Sequence, residues 1–298
     1  MQELIVGQFQ KVASGLYLEG LAVDFVRRAV WYSDVIGGGV HGVMPDGSTV
    51  SFNPDRKWTG GLLMNADGSV LSSGPGGIRW NHPESGRSGW LLHEIEGKVI
   101  NGINEMMPDG TGGIYFGTVD IDSVERAEPT RPTAIYRLTV EGEVIKVSGD
   151  INFTNGLMLS QDRKRFYCND TFVGTWAFDA QPDLTLSNKR MLLDKTDADG
   201  MALDADGNIW ITGFRSGSVT RLRADGTPLP PLSTPAGAIT QIRFGGADLR
   251  DYYINTVPAA GGDSLKDGVP LRDRESHLYR GRSETPGMPI PAAQFIIR

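Results

Sequence analysis

Short apolar runs alternate with polar turns along the whole chain, and one phrase of this pattern recurs. Its clearest copy is Asp199-Gly200-Met201-Ala202-Leu203-Asp204-Ala205-Asp206-Gly207-Asn208-Ile209-Trp210-Ile211: a carboxylate, an apolar strand, an Asp-Gly-Asn turn and a second apolar strand. Asp-Gly and Gly-Asn between strand-like runs predict a tight hairpin, because glycine and asparagine tolerate the positive φ that such turns demand. Further copies open at Glu19, at Gly61, at Asn104 and at Asn155, and a degraded one opens at Thr240 before Gln241-Ile242-Arg243-Phe244. Repeats spaced by roughly 40–50 residues are what a propeller of four-stranded blades shows.

Each repeat supplies a third strand, among them Val40-His41-Gly42-Val43, Ala134-Ile135-Tyr136-Arg137-Leu138 and Ser218-Val219-Thr220-Arg221-Leu222. Several supply a fourth, such as Gly89-Trp90-Leu91-Leu92 and Met191-Leu192-Leu193. No segment carries a sustained helical period. The expected fold is all-β, a six-bladed β-propeller spanning residues 1–298 as a single domain. Either residues 4–12 or the C-terminal Gln294-Phe295-Ile296-Ile297 is expected to close the ring. Two long connections, 118–133 and 257–276, are expected to rim the channel mouth.

Composition narrows the function. The net charge is −7 and there is no basic tract. Nucleic acid and anionic membrane are therefore not expected as partners, since clustered lysine and arginine bind both. A small-molecule substrate and a cytoplasmic location are expected, because no signal or spanning segment is legible. The single cysteine, Cys168, lies in an apolar strand and reads as an inert buried thiol. Gly37-Gly38-Gly39-Val40-His41-Gly42 matches the dinucleotide fingerprint, but a strand and a turn follow it, so no helix N-terminus would hold a pyrophosphate. Trp31, Trp176 and Trp210 are expected to pack between blades.

In a propeller, the residues that open successive inner strands converge on one mouth of the channel. Glu19, Asn155 and Asp199 then form an all-oxygen set suited to one hard divalent cation such as calcium, magnesium or manganese; calcium is expected first, with zinc and iron also open. Without a cation, Glu19 and Asp199 would repel one another and one would take up a proton. Asn104 and Glu105, opening the third inner strand, are candidates for binding substrate. For each residue alone, a turn or solvated-loop role is the simpler reading; the shared repeat position favours metal.

These residues resemble the regucalcin (senescence marker protein)/gluconolactonase/luciferin-regenerating family. The resemblance is carried by Glu19-Gly20 before Trp31-Tyr32-Ser33-Asp34 and by Asn104-Glu105 through Phe116-Gly117-Thr118. It continues in Asn155-Gly156-Leu157-Met158, Asp199-Gly200-Met201-Ala202 and Phe244-Gly245-Gly246, running from about Gly15 to Val257. It implies a six-bladed propeller with one divalent metal at the channel mouth, held by Glu19, Asn155 and Asp199, with Asn104 contacting substrate or water. It also implies metal-dependent hydrolysis of a lactone or related cyclic ester, with Asp199 as general base. Where family enzymes acting on sugar lactones carry an arginine two residues before the asparagine, this chain has Gly102. That departure predicts a substrate larger or less polar than a simple aldonolactone. Phosphotriesterase-like chemistry, a lyase or isomerase on the same site, and a non-catalytic calcium-binding propeller remain alternatives.

Overall fold

The structure, a computed structural model, describes residues 9–126, 128–129, 131–259, 273 and 275–297. Six four-stranded antiparallel sheets are arranged as the blades of a propeller. Blade one comprises Leu18–Asp24, Ala29–Asp34, Val40–Val43 and Thr49–Phe52, and blade two Leu62–Met64, Val70–Ser72, Ile78–Asn81 and Ser88–Leu92. Blade three comprises Ile103–Pro108, Ile114–Thr118, Thr133–Leu138 and Val144–Ile151. Blade four comprises Thr154–Leu159, Arg165–Asp170, Gly174–Ala180 and Leu186–Leu193, and blade five Ala198–Leu203, Ile209–Gly213, Ser218–Leu222 and Pro228–Ser233.

Burial falls from axis to rim. Every residue of Thr154–Leu159, Ala198–Leu203 and Ala238–Gly245 is buried, as expected of strands covered on both faces. The outer strand Thr49–Phe52 instead alternates exposed and half-buried positions. Trp31 and Trp210 fill the space between blades as expected, whereas the partly buried Trp176 meets Lys189 and Asp170 of its own blade. Trp31 packs in one cluster with Leu62 and Val70 of blade two, and the Trp210 ring meets Phe244 of blade six at 5.2 Å.

Blade six combines Ala238–Gly245, Asp251–Val257 and Ser276–Arg282 with the N-terminal strand Gln10–Gly15, which pairs antiparallel with Ser276–Arg282. The N-terminus is thus the latch, in a register later than the expected 4–12; residues 1–8 lie outside the described set. The C-terminal segment has a different role. It crosses the end of the channel where the first hairpin turn of each blade lies. Met288 N bonds Leu203 O (2.9 Å), Ala293 N bonds Met64 O (2.9 Å) and Gln294 N bonds Gly112 O (2.8 Å), stitching blades five, two and three together. Ala293 and Phe295 are buried there.

The connection 118–133 holds a short helix, Ile121–Glu125, that no sequence period announced; Asp120 caps it by accepting from the Ser123 backbone N–H at 3.3 Å. Of the connection 257–276, residues 260–272 and 274 lie outside the described set.

Candidate active site at the channel mouth

Each candidate residue sits in a break of strand register. The inner strands slip between Leu18 and Leu21, Ile103 and Glu105, Thr154 and Leu157, and Ala198 and Met201. Glu19, Asn104, Asn155 and Asp199 lie within these four irregularities. A bulge adds a residue to one strand and re-aims its side chain, here into the channel mouth. The Asn-Gly and Asp-Gly pairs are therefore bulges inside strands and not turns. Glycine follows because the neighbouring inner strand is too near for a side chain. A Cβ on Gly156 would lie 2.7 Å from Asp199 O, and one on Gly20 2.1 Å from Gly60 O.

Bulges free backbone carbonyls, and residues in or just after the second strands supply donors for them. Asn169 Nδ2 donates to Asp199 O at 2.6 Å, Asn255 Nδ2 to Glu19 O at 2.6 Å, and Ser73 Oγ to Asn104 O at 2.9 Å. Each donor comes from the blade before the carbonyl it serves, so the mouth is braced as a ring. This satisfies polar groups that would otherwise be costly to bury.

Glu19, Asn104, Asn155 and Asp199 line one cavity of about 540 Å³ together with Tyr17, Trp58 and Phe214. Asn104 Nδ2 donates to Asn155 Oδ1 (2.7 Å) and to Thr154 O (3.0 Å), while Asn155 Nδ2 donates to Thr171 Oγ1 (2.9 Å). Asp199 is 3% exposed, and its Oδ1 is buried with no hydrogen-bond partner among the described residues. Burial, then the charges of Glu19, Glu105 and Asp197, holds the Asp199 carboxyl well above the usual carboxylate range. Burial and the charge of Glu105 push Glu19 up to about 8. Burial, then Glu19 and Asp199, likewise raises the Tyr17 phenol. Acids gathered this way are compatible with one another only when protonated or when facing a cation.

Glu105 is brought close but does not line the cavity. Its carboxylate accepts from Gln241 Nε2 at 2.5 Å, from Arg243 Nη2 at 3.2 Å and from Met106 N at 2.9 Å. Arg243 is itself buried and donates to Met201 O (2.8 Å) and Gln241 Oε1 (2.6 Å). Gln241, which follows the opening Thr240 of the degraded repeat, therefore belongs to this network inside the channel. Alternation along the last inner strand was the available signal, since positions 241 and 243 face the same way.

The cavity walls were not legible as such. Phe153, Thr171, Phe172 and Phe214 border it from the ends of strands and from the loops that leave second strands, and Ile121 and Val124 from the short helix. Gly102 is explained here: a Cβ would come within 2.3 Å of Ile121 Cδ1. None of the four histidines lines the cavity, and Cys168 is fully buried with its thiol raised well above its ordinary value by burial. Among the described residues, no three His, Cys, Asp or Glu side chains form a metal cluster; the candidate set is two carboxylates and an amide.

The SMP-30/Gluconolactonase/LRE-like region matches residues 18–258. The chain belongs to that family. Among family relatives, it is 24% identical to the pentonolactonase XacC of Haloferax volcanii over 254 residues, 81% of this chain and 82% of that protein. Its fold superposes on a luciferin-regenerating enzyme with a TM-score of 0.81, at 19% identity, covering 98% of this chain and 100% of the other. A calcium-binding regucalcin of Agrobacterium tumefaciens gives a TM-score of 0.80 at 19% identity, with 97% of each chain covered.

Proposed function

We propose that the protein hydrolyses a lactone or related cyclic ester, larger or less polar than a simple aldonolactone, with one divalent cation, calcium first, at the channel mouth. The observation that carries the reading is the orphaned Asp199 Oδ1, buried beside Glu19 in a cavity large enough for a small molecule. Membership of a gluconolactonase family and a pentonolactonase among its relatives support the lactone.

The donor set fits a cation. Glu19, Asn155 and Asp199 would hold it, offering two carboxylates and an amide oxygen to a hard ion. Bound there, the ion supplies Lewis acidity to an ester carbonyl, typically worth several kcal/mol of barrier. The chain's own residues do the rest. Asn104, fixed through Nδ2 to Thr154 O and Asn155 Oδ1, keeps its Oδ1 to orient water or a substrate hydroxyl. Asp199 takes the proton of the attacking water as its oxygen bonds to the carbonyl carbon. The ring C–O bond breaks, and the same proton passes to the departing ring oxygen, leaving a hydroxy acid.

Proton release from a panel of lactones, followed in a pH-stat before and after exhaustive chelation, tests this. Hydrolysis that chelation abolishes and a divalent ion restores is expected. A cation-loaded protein that opens no lactone of the panel overturns the reading.

A further inference from the structure

Above its polar floor much of the cavity wall is apolar. Phe153, Phe172 and Phe214 form a ladder of rings, with Phe153 and Phe172 6.2 Å apart at 69° and Phe172 and Phe214 6.1 Å apart at 83°. Phe172 is the central rung and is 48% exposed. Its backbone has φ of 75°, a region that a bulky side chain rarely occupies. Its N–H bonds Thr196 O at 2.9 Å, which holds the turn in place. A strained backbone that keeps a large apolar ring half in water, at the mouth of a cavity, is an outlier from which function is reasonably inferred.

The lining of the cavity disfavours other occupants. Among the described residues no lysine or arginine lines it, while Glu19, Glu128 and Asp199 do, so the side chains there offer an anionic ligand no partner charge. The short helix turns Ile121 and Val124 to the same space, and Ile121 fills the position a side chain at 102 would take. Hydroxyl groups pressed against that wall would lose water without gaining a hydrogen bond. A phenyl ring, by contrast, gains edge-to-face contact with the ladder and covers the exposed face of Phe172.

We propose that the cavity takes an uncharged lactone bearing an aromatic substituent, seated against Phe153, Phe172 and Phe214 and facing Ile121. This rests on the hydrolase reading for the reaction but not for the binding.

The test pairs turnover with equilibrium binding. The substrates are γ-phenyl-γ-butyrolactone and gluconolactone; the binding probe is the non-hydrolysable γ-phenyl-γ-lactam, titrated calorimetrically. The variants are Phe172→Ser and Ile121→Ser, each checked by thermal melting. The lactam is expected to bind the wild type and to lose at least tenfold in affinity in Phe172→Ser. The ratio of kcat/KM for the phenyl lactone over gluconolactone is expected to fall at least tenfold in the same variant, through KM, with Ile121→Ser moving it in the same direction. Lactam affinity unchanged in both variants, no lactam binding at all, or a wild type that prefers gluconolactone by kcat/KM overturns the proposal. If the lactam binds, Phe172→Ser weakens it and no lactone is opened, the aromatic site stands and the hydrolase reading falls.

Discussion

Glu105 and Arg243 meet at 3.2 Å inside the channel, one from the inner strand of the third blade and the other from that of the sixth. In a ring of six blades these strands face one another, so the pair ties the propeller across its axis beneath the candidate site. Both side chains are 2% exposed. Removing one partner leaves the other charge buried without compensation. Arg243→Met is therefore predicted to destabilise the fold by about 3–5 kcal/mol, measured by urea unfolding. Glu105→Gln combined with Arg243→Met should recover much of that loss. A single variant within 1 kcal/mol of wild type, a ~1 kcal/mol margin being the usual reach of an exposed pair, would contradict the tie.

The acids of the mouth predict an unusual pH dependence for the cation-free protein. Glu19 is raised from 4.5 to about 8 by burial and by Glu105. Between those values the folded state keeps a proton that the unfolded chain has lost. Stability therefore falls as pH rises through this window, the reverse of an ordinary salt-bridged carboxylate. Below it both states are protonated and above it both are ionised, so the slope vanishes at either end. Thermal melts of chelated protein from pH 5 to 8 should show a declining Tm, flattened in Glu19→Gln. A pH-independent difference between the two proteins would contradict the coupling.

Asp199→Asn is predicted to lower kcat by about 10²–10⁴, the usual range for loss of a general base. Asn104→Ala should lower kcat less while leaving the melting temperature close to wild type, since Asn104 is only partly buried. Steady-state kinetics on whichever lactone is turned over reads both. Equal rates in Asp199→Asn and wild type would remove Asp199 from the chemistry.

Gly102→Arg is predicted to be poorly tolerated alone, because its Cβ would sit 2.3 Å from Ile121 Cδ1. Overpacking of this kind costs about 1–3 kcal/mol. Paired with Ile121→Ala, the arginine gains space and should shift kcat/KM toward polyhydroxylated lactones by about tenfold, the worth of one charged hydrogen bond. Melting curves and a two-substrate comparison check both halves. A stable single variant with unchanged preference would contradict the packing account.

The blades are legible in the sequence because one phrase repeats, and its oxygen-bearing first residue picks out Glu19, Asn104, Asn155 and Asp199. What the phrase could not give was the reason for its glycine. Taken alone, Gly156 and Gly200 are most simply turn formers, whereas each lies against the next inner strand, a contact between residues distant in sequence. The latch strand Gln10–Gly15 was placed too early, since its pairing partner, Ser276–Arg282, lies at the other end of the chain. The helix Ile121–Glu125 is shorter than two turns and leaves no period to find. Glu105 looked like a site residue because it follows Asn104. One position along a strand reverses the side chain's direction, and it points to Arg243.

The central claim is that Glu19, Asn155 and Asp199 together hold one divalent cation. Calorimetric titration of the stripped protein with calcium, and then with magnesium and manganese, measures it most directly, in the wild type and in Glu19→Gln, Asn155→Ala and Asp199→Asn. One ion per chain is predicted, with affinity reduced at least tenfold in every variant. Binding must raise the Tm of the wild type, because an ion taken only by the folded state stabilises it. No binding by the wild type, or equal binding by wild type and all three variants, would contradict the account.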